Sequence, residues 1–176
     1  MIGSKELLYV IVLGPASDIV SAYLRNRDIK DHVVVVFHAR SQFWPDKAVN
    51  MNIHNDIKAV QALLRSELPL TYFDTGSTLR LSIEESEANI KPWGKIGKYL
   101  HNSRVERHDA AVYDIGDFGF LVNNNWSKYE TVNAPDLRWD YTYNFNVNNG
   151  PIIRVTDIDK DAVFKDFFTK LRTSTK

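Results

Sequence analysis

The sequence predicts an α/β protein: one mixed β-sheet with a parallel, Rossmann-like N-terminal half, antiparallel C-terminal strands and flanking helices. Three observations carry this. Residues 7–13 (LLYVIVL) and 32–37 (HVVVVF) are charge-free apolar runs of the kind buried on both faces of a parallel strand. Amphipathic helical segments follow both runs. After residue 110 the pattern changes to short strands and turns, which suits antiparallel pairing. At 176 residues, 44% hydrophobic and 12% aromatic, the chain is expected to form a single α/β domain over residues 1–176 with a substantial core.

Taken in order, the first run ends at a Gly14-Pro15 turn. Ser17 or Asp18 is the expected cap of a helix whose Ile19, Val20, Tyr23 and Leu24 share one side. The second run, rich in β-branched residues, leads into His38, Ala39, Arg40 and Ser41. Residues 42–52 lack periodicity and read as a loop around Phe43-Trp44-Pro45. Ile53, Ile57, Val60 and Leu64 recur at helical spacing, with Asn55 as cap, predicting one helix to about Ser66.

A third strand is expected at residues 70–73, turning through Asp74-Thr75-Gly76-Ser77-Thr78 into a partner in which Leu79, Leu81 and Ile83 alternate with polar residues. Glu84, Glu85 and Glu87 read as a solvated loop. Pro92 starts a third helix through Trp93, Ile96, Tyr99 and Leu100, with Gly94 and Gly97 against it. Residues 110–113 and 118–122 read as short strands. From Leu137 to Val147 unbroken alternation predicts a long antiparallel strand, returning after Asn148-Asn149-Gly150 through residues 151–155 as its hairpin partner. Val163, Phe164, Phe167, Phe168 and Leu171 form a helical stripe, capped by Asp157 or Asp159.

Composition narrows the function classes. Twenty-two basic residues balance twenty-two acidic ones, so no net field favours a nucleic-acid partner. There is no cysteine, hence no disulfide, thiolate nucleophile or thiolate metal site. The first apolar run is too short to span a bilayer and has no cleavage pattern, so it reads as the core strand of a cytoplasmic protein without a membrane segment. Asn125-Trp126-Ser127 fits a glycosylation acceptor that would matter only in a secretory compartment.

Neither a G-x-G-x-x-G after the first strand nor a P-loop is present, and no Gly-x-Ser-x-Gly elbow occurs. His32, His38, His54, His101 and His108 are scattered without metal spacing, so no metal site is expected. Asp157, Asp159 and Asp161 alternate as in a calcium loop. Ala162 and Phe168, however, stand where that loop needs glycine and glutamate, which leaves helix capping. No motif implies a cofactor or assigns a reaction.

The stretch Phe73-Asp74-Thr75-Gly76-Ser77-Thr78 resembles two unrelated motifs. One is the Asp-Thr-Gly loop of aspartic proteases, which would need a second aspartate from a second copy. The other is the phosphate hairpin of the actin and sugar-kinase superfamily, which belongs to far longer chains. Each covers six residues, and no function carries over; a turn built on Asp and Gly accounts for the stretch.

Ligands of open parallel sheets bind outside the carboxyl ends of the strands. That rule places the candidate site in the segments following the first strands. Backbone donors near Gly14, Ser17 and Asp18, with Arg40, Ser77 and Thr78, would hold a small anion such as a nucleotide or phosphorylated sugar. His38 and Asp74 are the acid/base candidates if chemistry occurs. The alternative is a non-catalytic protein-interaction factor, toxin-neutralising or anti-defence in type, using the aromatic and asparagine-rich surface around Trp126, Tyr129 and Trp139.

Overall fold

The computed structural model describes residues 6–108 and 111–174, and these divide into two compact units. The first comprises residues 1–75 and 127–158, the second residues 76–126 and 159–176. The chain leaves the first unit after Thr75, returns at Ser127 and leaves again after Ile158.

The first unit is built on a five-stranded sheet in the order β1-β2-β5-β9-β6. β1 (Leu8–Val12), β2 (Val33–His38), β5 (Leu70–Phe73) and β9 (Pro151–Ile158) are mutually parallel, and β6 (Ser127–Asn133) runs antiparallel to β9. Register aligns Val10, Val35, Leu70 and Ile152 across one face, and Val12, Phe37 and Tyr72 beside them. Onto this face pack α1 (Ser17–Arg25), through Ile19, Val20 and Tyr23, and α3 (Ile57–Leu64), through Val60, Leu63 and Leu64. The expected mixed α/β sheet with a parallel half and flanking helices is what forms.

Several elements differ from expectation, each for a local reason. No side chain caps α1: its N-cap is Ala16, and the Ser17 hydroxyl instead donates to Asp56 Oδ2 at 2.6 Å. The single helix expected to run to Ser66 is two, α2 (Met51–Asn55) capped by Asn50 and α3 capped by Asp56. Leu137 to Val147 is not a strand. Only β7 (Asp136–Leu137) and β8 (Tyr143–Asn144) pair there, because Asp140 bends its side chain to the N–H and hydroxyl of Thr142, and Tyr141 turns into the left-handed region at φ 64°. β9 pairs with β5 and β6 rather than with that segment. Residues 42–48 hold a small hairpin, β3 (Gln42–Phe43) with β4 (Lys47–Ala48).

The second unit is helical: α4 (Ile83–Asn89), α5 (Gly94–Arg107), α6 (Ile115–Val122) and α7 (Lys160–Thr173). The hairpin expected around Gly76 does not form. Ser82 and Glu85 make a reciprocal capping box that starts α4 where a strand and an acidic loop were expected. Of the strand expected over residues 79–83, one isolated bridge between Arg80 and Ala111 remains. The short strand expected over 118–122 is replaced by α6; of the one expected over 110–113 only the bridge at Ala111 forms, and Ala110 lies outside the described residues. Gly97 in α5, read as a weakness, is a close approach. A Cβ there would stand 2.0 Å from the Ile90 carbonyl oxygen. α7 follows its expected stripe and is capped by Asp159, which accepts from Ala162 N–H at 3.0 Å.

Candidate functional site

β1, β2 and β5 are adjacent and parallel, with Val12 level with Phe37 and His38 level with Phe73. The segments that follow them therefore leave the sheet at one end, side by side. Gly14 and the start of α1 come from the first, Ala39-Arg40-Ser41 from the second, and Asp74 from the third.

Asp74 organises this end of the sheet. Its Oδ1 accepts from the N–H and hydroxyl of Ser41 at 2.5 and 2.6 Å. Its Oδ2 accepts from Nε and Nη2 of Arg154 at 2.9 and 2.7 Å. The carboxylate side chain is 2% exposed. Arg154 lies in β9 opposite Tyr72, reaches Glu130 Oε1 on β6 at 2.7 Å with its other nitrogen, and stacks over Trp44 at 4.6 Å. One carboxylate thus ties the loop after β2 to the neighbouring strand through four charge-assisted hydrogen bonds. Both Asp74 oxygens are engaged, so its geometry is that of a positioning group and not of a base open to substrate.

Beside this network the hydroxyls of Tyr72 and Tyr143 meet at 2.5 Å inside the core. Burial, first of all, pushes both phenols well above their ordinary value, so they stay neutral and hydrogen-bonded. Trp44, whose ring centre lies 4.7 Å from that of Tyr143, closes the polar cluster from the loop side.

The loop after β2 is turned sharply. The N–H groups of Ala39 and Arg40 both donate to the Phe73 carbonyl at 3.0 Å, and Arg40 sits at φ 33°, a conformation costly for a residue with a side chain. Asn52, at the start of α2, donates Nδ2 to the His38 carbonyl at 2.9 Å and so ties that helix to the end of β2. His38 is buried and stacks on Phe73, with 6.0 Å between ring centres.

Gly14, Ser17, Asp18, Arg40, His38 and Asp74 thus all belong to the carboxyl end of three adjacent strands in the first unit. Ser77 and Thr78 belong to the second unit. Asp18 is exposed in the first turn of α1, and nothing lies within 4 Å of where a Cβ on Gly14 would project. Sequence reasoning passed over Arg154, Trp44 and Asn52. The signal for Arg154 was present: a single charge inside the otherwise apolar PIIRV must find a partner.

The second unit has a feature of a different kind, an apolar cavity of about 770 Å³. Leu100, Phe118, Val122, Phe164 and Phe168 line it, with Arg107 among the charged groups there.

With that geometry in view, the fold can be compared with known ones. No family model matches the sequence, and no curated protein matches it. Solved structures do. An inosine-uridine preferring nucleoside hydrolase from Bacillus anthracis aligns with TM-score 0.72 at 18% identity over 96% of this chain. A plant nucleoside hydrolase aligns with TM-score 0.75 at 16% identity over 93% of it. The chain shares the α/β fold of these enzymes. It spans 61% of the length of each. No helix of the described residues is long and apolar enough to cross a membrane.

Proposed function

We propose that this chain binds a nucleoside at the carboxyl end of β1, β2 and β5, and that hydrolysis of its N-glycosidic bond is the reaction to test for. The observation that carries the reading is the fold shared with two nucleoside hydrolases, at TM-scores of 0.72 and 0.75. In an open parallel sheet that fold puts ligands at the carboxyl ends of the strands, where Gly14, Ser17, Asp18, Arg40 and the Asp74 network lie.

The chemistry of that end refines the ligand class expected from sequence. A phosphate at the start of α1 would meet the exposed carboxylate of Asp18, and like charges at such a distance disfavour binding. A neutral ligand rich in hydroxyls suits the same group, because a carboxylate accepts hydrogen bonds from a sugar diol. A nucleoside therefore fits better than a nucleotide or phosphorylated sugar. Arg40 is then a donor to the ligand rather than a phosphate clamp. Asp74 holds the loop that carries Arg40, and Asp18 is the exposed carboxylate that would activate water.

The solved structures that this chain resembles are enzymes acting on nucleosides, which does not support the interaction-factor alternative.

The test is a thermal-shift panel of inosine, uridine, ribose and the matching nucleoside monophosphates on the purified chain, with base release followed by chromatography. A ligand at a hundred times its dissociation constant should add about 2.7 kcal/mol. A shift with nucleosides, absent with monophosphates and abolished by Gly14→Trp, is the expected result. No shift with any nucleoside overturns the reading.

A further inference from the structure

Tyr72, Tyr143 and Ser41 are buried in the first unit, and their hydroxyls form one chain that ends on Asp74. Tyr72 meets Tyr143 at 2.5 Å, Tyr143 is hydrogen-bonded to the Ser41 side chain, and the Ser41 hydroxyl donates to Asp74 Oδ1 at 2.6 Å. Distance alone leaves the donor of the tyrosine pair open. The end of the chain decides it. Asp74 takes two guanidinium donors on Oδ2 and, as a carboxylate, only accepts. A hydroxyl has one hydrogen to give. Ser41 spends its own on Asp74, so it accepts from Tyr143; Tyr143 spends its own on Ser41, so it accepts from Tyr72.

We propose that Tyr143 is a positioning residue for the turn Ala39-Arg40-Ser41. Its hydroxyl, set between Tyr72 and Ser41, holds the Ser41 side chain on Asp74, and Ser41 fixes the turn that carries Arg40. Aligned donors polarise one another, so each hydroxyl in such a chain strengthens the next bond toward the charge. The turn needs that hold. Arg40 stands at φ 33°, and its N–H shares the Phe73 carbonyl with the N–H of Ala39.

Tyr143 is itself placed by its neighbours. Its N–H donates to the Asp46 carbonyl at 3.3 Å, and Trp44 packs against its ring. Burial keeps both phenols neutral, so each retains the hydrogen that the chain requires. The order of the hydrogens stands on these contacts alone. Only the bearing of the turn on a ligand rests on the nucleoside reading.

The test is amide hydrogen exchange of the full chain by NMR, with inosine binding by calorimetry, on wild type, Tyr143→Phe, Tyr72→Phe and the double variant. Tyr143→Phe removes the donor to Ser41, whereas Tyr72→Phe removes only the far end of the chain. In Tyr143→Phe and the double variant the Ser41 amide should exchange about tenfold faster relative to that of Val35 in β2, the size of one lost hydrogen bond. Inosine affinity should fall with it, and Tyr72→Phe should have the smaller effect on both. The double variant strands no buried Tyr72 hydroxyl and serves if Tyr143→Phe does not fold. A Ser41 amide that moves only in step with Val35 overturns the proposal, as does an equal or larger effect in Tyr72→Phe. Inosine affinity that is unchanged while the Ser41 amide exchanges fast overturns the role toward the ligand. A wild type that binds no inosine overturns the nucleoside reading instead, and exchange still decides whether Tyr143 holds the turn.

Discussion

Asp74 and Arg154 form a pair whose value lies in what its loss would leave behind. Both are largely buried, at 2% and 15% side-chain exposure. Truncating Asp74 to alanine strands Nε and Nη2 of Arg154 and the Ser41 N–H in low dielectric, and breaking one side of such a pair costs about 3–5 kcal/mol. Urea unfolding of Asp74→Ala should show a midpoint loss of that size. Arg154→Met takes the guanidinium off the Trp44 ring, strands the Asp74 oxygen that faced it and leaves Glu130 without this partner. A second residue-scale prediction concerns pH. The Ser17 hydroxyl and then the Ala59 N–H hold the Asp56 carboxyl below its ordinary value of 3.8. A carboxyl depressed in the folded state adds stability in full above its unfolded value, and that stability is lost as pH falls through the folded one. Acid titration of stability should therefore be flatter in Ser17→Ala than in wild type: the variant lacks this contribution at pH 7, and the gap between the two closes below about pH 4 as wild type loses it.

At the scale of the element, the parallel strands were legible from their apolar runs, and LLYVIVL and HVVVVF both form strands where they were read. Burial on both faces holds for β2 and not for β1, in which Leu8 and Tyr9 are exposed and the other residues only half-buried. Residues 137–147 show how alternation misleads. Asp140 and Asn144 each accept from the N–H two residues on, at 3.1 and 3.2 Å, so the polar side chains of the supposed wet face make turns. Around Ser82 the competing signal was in view, since Ser-x-x-Glu before a helix satisfies two orphan N–H groups, which alternation over three residues does not offset. The candidate site was partly legible, because strand ends imply loops. The partner of Asp74 was not, because a contact between residues 80 positions apart leaves no local pattern. Gly97 supplies the element-scale prediction. Its Cβ would overlap the Ile90 carbonyl, which is backbone and cannot move aside, so Gly97→Ala should destabilise by about 1–3 kcal/mol although alanine favours helix. A higher melting temperature for Gly97→Ala would mean that α4 and α5 are not packed this closely.

At the scale of the whole molecule, the five-stranded sheet ends in β6, which among the described residues pairs only with β9. Lys128 and Glu130 put charge on that edge, and its register shifts at Lys128/Tyr129. That shielding can be removed in place. Lys128→Thr with Glu130→Thr leaves the β-branched pattern of the strand intact and takes away the charges, so the edge can accept further strands. The double variant should sediment as species that grow with protein concentration where wild type does not. If the double variant instead stays at the size of wild type, the register shift at Lys128/Tyr129 is sufficient protection by itself. Geometry, and not charge, then closes this edge.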